Sequence, residues 1–329
     1  MPSMLVMLPK YLGFAALFWF AIGTPSAGAD QEPEVGSFEA LIQSGEYQKA
    51  RAGLETYVAA HPQSWRGEYQ LGYVYFRLHQ IKQSLDMLCK SLVLNGQFVE
   101  SHKILAYDLN ILGRQDLALQ ELERALKLDA NSAECHYEMG RILYERGYYA
   151  SAVKHLEQAK VLDPDAVHTY HNLGLAYAAV RENGKAVENF EVGLKKNAAL
   201  PKPSAWPLID YATYFNLQGD YARARDLLLQ AVGMDASWAQ AFDELSKAQR
   251  ELGQTGEAID SLRRAIALDP QKAEYHYVLA RLYRQANQPE KAEEQMGEYR
   301  RSKQVGIQQA TDEHPGVSLG SRRVENSNH

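Results

Sequence analysis

The sequence predicts an all-α solenoid of about eight stacked helix-turn-helix pairs, and three observations carry that prediction. Residues 133–166 and 167–200 align on each other at a 34-residue period, with Met139 on Leu173, Gly140 on Gly174, Ala152 on Ala186 and Leu156 on Phe190. Small residues recur at the eighth, twentieth and twenty-seventh positions of the period, which lets helix axes approach to roughly 8–10 Å; larger residues at the fourth, seventh, eleventh and twenty-fourth positions fill the gaps. A glycine recurs near the fifteenth position, where it ends the first helix in a left-handed cap. A single pair leaves its apolar face uncovered, so neighbouring pairs have to stack.

The units follow in order. Asp30 to Ser37 (30–37) is a short polar lead-in. The first unit is abbreviated, with a first helix of about Phe38 to Ser44, a turn at Gly45 and Tyr47, and Ala50, Leu54 and Pro62 in the second half. The second, 65–98, carries Leu71, Gly72, Tyr75 and Leu88, with Ser84 where alanine is usual. The third, 99–132, carries Leu105, Ala106, Gly113, Ala118, Leu122 and Ala125, and 133–166 and 167–200 complete the run of five over 38–200. Pro201, Lys202, Pro203 and Ser204 (201–204) then interrupt the period by four residues, since two prolines in three positions cannot continue a helix. Units six to eight occupy 205–304, marked by Gly219, Ala224 and Leu228, by Gly253, Ala258 and Leu262, and by Leu279, Ala280 and Ala292. From Val305 to His329 (305–329) no helical period continues, and this polar tail is expected to be disordered.

The fifth unit reads Tyr170-x2-Leu173-Gly174-x2-Tyr177 and then Ala186-x3-Phe190; Pro164 closes the unit before it, and Ala198 takes that place in the fifth. This resembles the tetratricopeptide repeat (TPR) family. The resemblance implies a right-handed superhelix with a concave inner surface, used to bind a protein or peptide partner rather than for catalysis. It also implies that first-helix positions two, five, six, nine, twelve and thirteen line that surface.

Those positions hold Tyr69, Gln70, Tyr73, Phe76 and Arg77, then Lys103, Tyr107 and Asn110, then Tyr137, Glu138, Arg141, Tyr144 and Glu145, and finally His168, His171 and Asn172. Aromatic and arginine side chains are the usual anchors of protein interfaces, and Asn172 stands where some family members hold the backbone of an extended peptide. The plainer reading is that several of these tyrosines cover neighbouring helices. Beyond the insertion the corresponding residues are mostly charged, including Asp210, Asp243, Glu244, Lys247, Arg250, Glu251, Arg281 and Arg284, and read as a solvated face. The family's chaperone carboxylate clamp is not matched: Lys103 is followed four residues on by Tyr107, and Glu138 occupies the central asparagine position.

The front of the chain has its own logic. Lys10 precedes an apolar run from Tyr11 to Gly23, followed by Ala27-Gly28-Ala29, which reads as a secretory signal peptide over 1–29 cleaved before Asp30. The alternative is an uncleaved N-terminal membrane anchor. The expected location is therefore exported, either periplasmic or secreted, and an accessory role in an envelope export or assembly complex is the second functional expectation. With 23% charged residues and a net charge of −6 there is no basic excess for nucleic acid. Cys89 and Cys135 lie two units apart, too far for a disulfide, and both read as small packing residues.

Three further patterns carry no chemistry. Gly316-Val317-Ser318-Leu319-Gly320 matches a nucleophile elbow, but that motif needs a strand-to-helix turn with acid and histidine partners later in the chain. His102, His136 and His276 share one repeat position and read as packing, because adjacent repeats stand about 10 Å apart and zinc needs ligands at about 2.1 Å. His168 and His171 lack a further ligand. No cofactor or metal is expected, and an enzyme or regulator with an unrecognised site is the remaining alternative.

Overall fold

The computed structural model describes residues 33–313, with side chains over residues 35–305. The described residues form sixteen helices and no strand, paired as the 34-residue period requires. They divide into two units between Glu182 and Asn183. The first unit holds α1 (Pro33–Gln43), α2 (Tyr47–Ala60), α3 (Trp65–Arg77), α4 (Ile81–Leu94), α5 (Val99–Ile111), α6 (Gln115–Leu128), α7 (Ala133–Glu145), α8 (Tyr149–Leu162) and α9 (Val167–Ala179). The second holds α10 (Asn183–Ala198), α11 (Trp206–Gln218), α12 (Tyr221–Met234), α13 (Ala239–Glu251), α14 (Thr255–Leu268), α15 (Ala273–Gln285) and α16 (Pro289–Glu313).

The turn inside each pair is closed by one residue with left-handed backbone. Glycine does this at Gly45, Gly113, Gly147, Gly219 and Gly253, with φ between +71° and +81°. His79, Arg181 and Asn287 take the same place in the other three pairs, with φ of 56°, 64° and 56°. These eight positions are 34 residues apart except between Arg181 and Gly219, where the interval is 38. The turns therefore keep one register from Gly45 to Asn287, and the four-residue slip falls in the fifth pair.

Between the paired helices, small residues meet large ones. A methyl group at Gly140 would lie 2.6 Å from Leu156 Cγ and 3.2 Å from the Ala152 carbonyl, and one at Gly72 would lie 2.9 Å from Leu88 Cγ. Where serine replaces the small alanine, its hydroxyl bonds the partner helix: Ser84 Oγ donates to the Gly72 carbonyl at 2.9 Å, and Ser246 Oγ to the Ala258 carbonyl at 2.9 Å. Leu54, Leu88, Leu122, Leu156, Leu228 and Leu262 are fully buried at the twenty-fourth position.

Several boundaries differ from the sequence-based expectation. The first helix begins at Pro33, inside the expected lead-in and ahead of Phe38, because proline is well suited to a first helical turn. At the other end α16 continues to Glu313, so residues 305–313 are helical and not part of an irregular tail. Helix α16 continues there without an apolar period because its residues are mostly good helix formers.

The unit boundary also falls ahead of the insertion rather than at it. Residues 201–204 are not helical, but they do not divide the chain. Asn197 Nδ2 donates to the Ser204 carbonyl at 2.8 Å, and Ser204 N donates back to Asn197 Oδ1 at 3.1 Å. Phe190 of α10 stacks on Tyr211 of α11 with ring centroids 4.9 Å apart. Segment 1–29 and the Gly316–Gly320 pattern lie outside the described residues, as do all positions from 314 onward.

Candidate functional site

Within the first unit the first helices of successive pairs touch one another, α1 with α3, α3 with α5 and α7 with α9, whereas the second helices stand farther apart. The first-helix side is therefore the closed, inner side of this unit, and the sixteen residues named as its lining all lie on α3, α5, α7 and α9. Four of them are buried: Tyr69, Gln70, Tyr73 and His171 are only 9%, 6%, 7% and 5% exposed. Tyr69 meets Phe98 edge-on at 4.7 Å, and Tyr73 belongs to a core cluster with Leu88, Ile104 and Leu105. Phe76, Arg77, Lys103, Tyr107, Asn110, Tyr137, Arg141, Tyr144 and Asn172 are partly exposed.

The partly exposed residues form a connected strip. Arg77 Nη1 donates to the Tyr73 hydroxyl at 2.8 Å, and its guanidinium lies over the Tyr47 ring at 4.6 Å. Phe76 on α3 stacks against Tyr107 on α5 at 6.1 Å, and Tyr107 donates to Glu134 on α7 at 2.6 Å. Lys103 sits between Glu100, at 3.0 Å, and Glu134. Burial works against its charge, but the two carboxylates hold its pKa above the ordinary lysine value. Arg141 is likewise held between Glu138, at 2.7 Å, and Glu145, at 2.6 Å. Asn172 on α9 donates to the Tyr137 hydroxyl at 3.1 Å.

This geometry changes what the cations offer. Lys103 and Arg141 looked like free anchors in the sequence; each is instead clasped by two carboxylates, and neither is poised to receive an acidic group. Burial raises the Glu138 carboxyl, with Arg141 pulling the other way. Burial also raises the Tyr107 and Tyr137 hydroxyls, and Glu134 and Glu138 add to it. Sequence reasoning missed Glu100 and Glu134. Both fall at the second position of their repeats, one of the lining positions, so the signal was present.

Other expectations shift as well. Cys135 is fully buried against Ala106, Leu122 and Met139, but Cys89 is exposed, so only one of the two free cysteines is a packing residue. His102, His136 and His276 do pack, and each finds a polar partner nineteen residues on: Glu121 at 2.7 Å, His155 at 3.1 Å and Gln295 at 2.8 Å. In the second unit Asp210, Asp243 and Glu244 are buried rather than solvated. The last two are covered by Lys247 at 3.2 and 2.7 Å, which reaches back over them from one turn farther along α13. Among the described residues no group of three or more metal-ligating side chains is placed to hold an ion, and no helix is long and apolar enough to cross a membrane.

Stacked helix pairs with this register define a TPR solenoid, all-α in class. Family models of the TPR repeat match residues 140–180, 205–230 and 249–310. Among solved structures, the fold is similar to a chain of the APC/C hetero-tetramer Cut9–Hcn1, at 19% identity and a TM-score of 0.64, over 77% of this chain and 49% of that one. A tetratricopeptide repeat protein from Parabacteroides merdae aligns at 14% identity and a TM-score of 0.62, over 76% of this chain and 97% of its own. Yeast Tom70 aligns at 17% identity and a TM-score of 0.59, over 88% and 68%. No curated protein matches the sequence.

Proposed function

We propose that this protein is an exported, non-catalytic TPR scaffold that holds a peptide segment or protein partner along the first-helix face of α3, α5, α7 and α9. The observation that carries this reading is the partly open aromatic strip of Phe76, Tyr107, Tyr137 and Tyr144 on the closed side of the first unit. Such rings anchor a ligand at low entropic cost when the helices beneath them are already rigid. The mechanism is preorganisation: the stack sets the spacing of the anchors, and the ligand adapts to it.

Replacing both Tyr107 and Tyr144 with alanine tests the reading. Capture of the natural partner from native extracts should fall sharply while helicity and melting midpoint stay near those of the parent. Unchanged capture would remove the groove from consideration. Export is tested separately, by sequencing the N-terminus of the native protein, which should begin at Asp30.

A second reading, an accessory subunit that docks through the other side, draws on Val93 and Val161. They occupy the same repeat position on α4 and α8 and are 86% and 70% exposed. Under that reading serine at both positions, and not alanine at the two tyrosines, abolishes capture.

A further inference from the structure

We infer that the segment held against α5 and α7 is basic, an extended polypeptide presenting lysine or arginine side chains rather than acidic groups or a terminal carboxylate. This rests on the groove reading above and adds the chemistry of the occupant.

Four carboxylates, Glu100, Glu134, Glu138 and Glu145, face two cations, Lys103 and Arg141, on these two helices. Each cation is shared between two acids, so each triad retains one surplus negative charge. The local donors are also committed to these acids: Tyr107 bonds Glu134 at 2.6 Å, and Gln115 bonds Glu145 at 2.9 Å.

Two buried acceptors beneath this strip are also unpaired: Asn110 Oδ1 and Gln70 Oε1 have no hydrogen-bonding partner. Asn172 has placed both of its N–H hydrogens, on Tyr137 and on the His168 carbonyl. Independently of the acid count, Tyr69 is 9% exposed and its hydroxyl has no partner. The acids act on that hydroxyl electrostatically: beyond burial, Glu100, Tyr73, Glu134 and Glu39 all raise its pKa.

The surplus carboxylates call for a ligand rich in N–H donors and positive charge, and the unpaired oxygens beneath them add to the negative potential of the face. The stacked rings of Phe76 and Tyr107 suit the same ligand, since ammonium and guanidinium groups are attracted to aromatic faces. An acidic segment would set like charge against like.

The test is a display library of linear peptides of about twelve residues, panned on the full chain and subtracted against the Tyr107→Ala/Tyr144→Ala variant. The retained peptides should be net positive. They should weaken roughly tenfold or more when their lysines and arginines become glutamine, and should weaken as salt rises. Glu134→Gln with Glu138→Gln should lose a similar factor at unchanged helicity, and Glu145→Gln alone gives the same direction where the double variant folds poorly. Retained peptides that are neutral or acidic, or indifferent to these substitutions, overturn the inference and leave the groove standing. If no peptide survives the subtraction, the groove and the inference fall together.

Discussion

The Asn172 amide donates to the Tyr137 hydroxyl at 3.1 Å, tying α9 to α7 across one full repeat. The same nitrogen donates to the His168 carbonyl at 3.0 Å, and the Tyr137 ring meets the His168 ring edge-on at 4.3 Å. The residue that resemblance marked for a ligand's backbone is thus part of the wall, with only its carbonyl oxygen to offer. Asn172→Ala and Tyr137→Phe should each cost about 1 kcal/mol. The double variant should cost less than the sum, because one bond is removed twice. Thermal melts of the three variants decide it; strict additivity would mean that the bond does not form in solution.

Gly140→Ala should destabilise by about 1–3 kcal/mol, since its methyl would meet Leu156 and the Ala152 carbonyl with little room to move. Gly233→Ala, in an exposed part of α12 with nothing within 4 Å of the added methyl, should instead stabilise by about 0.4–1 kcal/mol. Denaturant midpoints with opposite signs confirm the packing; equal effects contradict it.

His79 is exposed and closes its turn at φ 56° without being glycine. A left-handed conformation costs a side-chain-bearing residue roughly 1–2 kcal/mol, part of which glycine returns as unfolded-state entropy. His79→Gly should therefore raise stability by about 0.5–1 kcal/mol. A lowered melting midpoint would show that the imidazole makes a contact worth more than the strain.

Asp108 is fully buried on α5 and neither carboxylate oxygen has a hydrogen-bonding partner. Burial pushes its pKa from 3.8 up to about 7, with nearby Ser84 pulling weakly the other way. The folded protein thus holds a proton that the unfolded chain releases, so the stability that depends on Asp108 is greatest near pH 4, declines as pH rises, and levels off above about 7. The full span is on the order of 2–4 kcal/mol. Asp108→Asn should flatten the profile, matching the parent at pH 4 and melting higher at pH 8. An unchanged slope would mean that another group carries it.

The architecture was legible because its cause is local and repeated. Gly140 against Leu156, and a turn-closing residue at each fifteenth position, recur at a fixed interval, and a recurring interval survives many substitutions. The ends were less legible because the 34-residue pattern weakens there: α1 begins at Pro33, ahead of the first matching position, and α16 outlasts its own apolar pattern. The site was the hardest part. The sequence places Lys103 and Arg141 on the right face, and the partners of Arg141 lie three and four residues away on α7 itself, but whether Lys103 also meets Glu134 depends on how α5 and α7 are spaced. Charge state along a groove is a property of pairs, and Lys103–Glu134 is a pair separated by most of a repeat.

The eight turn-closing residues also make the chain modular. Because each pair ends its turn at the same phase, residues 99–132 form a cassette whose removal would deliver the exit of α4 to the entrance of α7 in step, much as α5 receives it now. Such a shortened chain would keep its stacking rules while losing Lys103, Tyr107 and Glu100 from the groove. Length and recognition are therefore separately adjustable here: the repeat count sets how many anchors are offered, and the first-helix face of each repeat sets what they select.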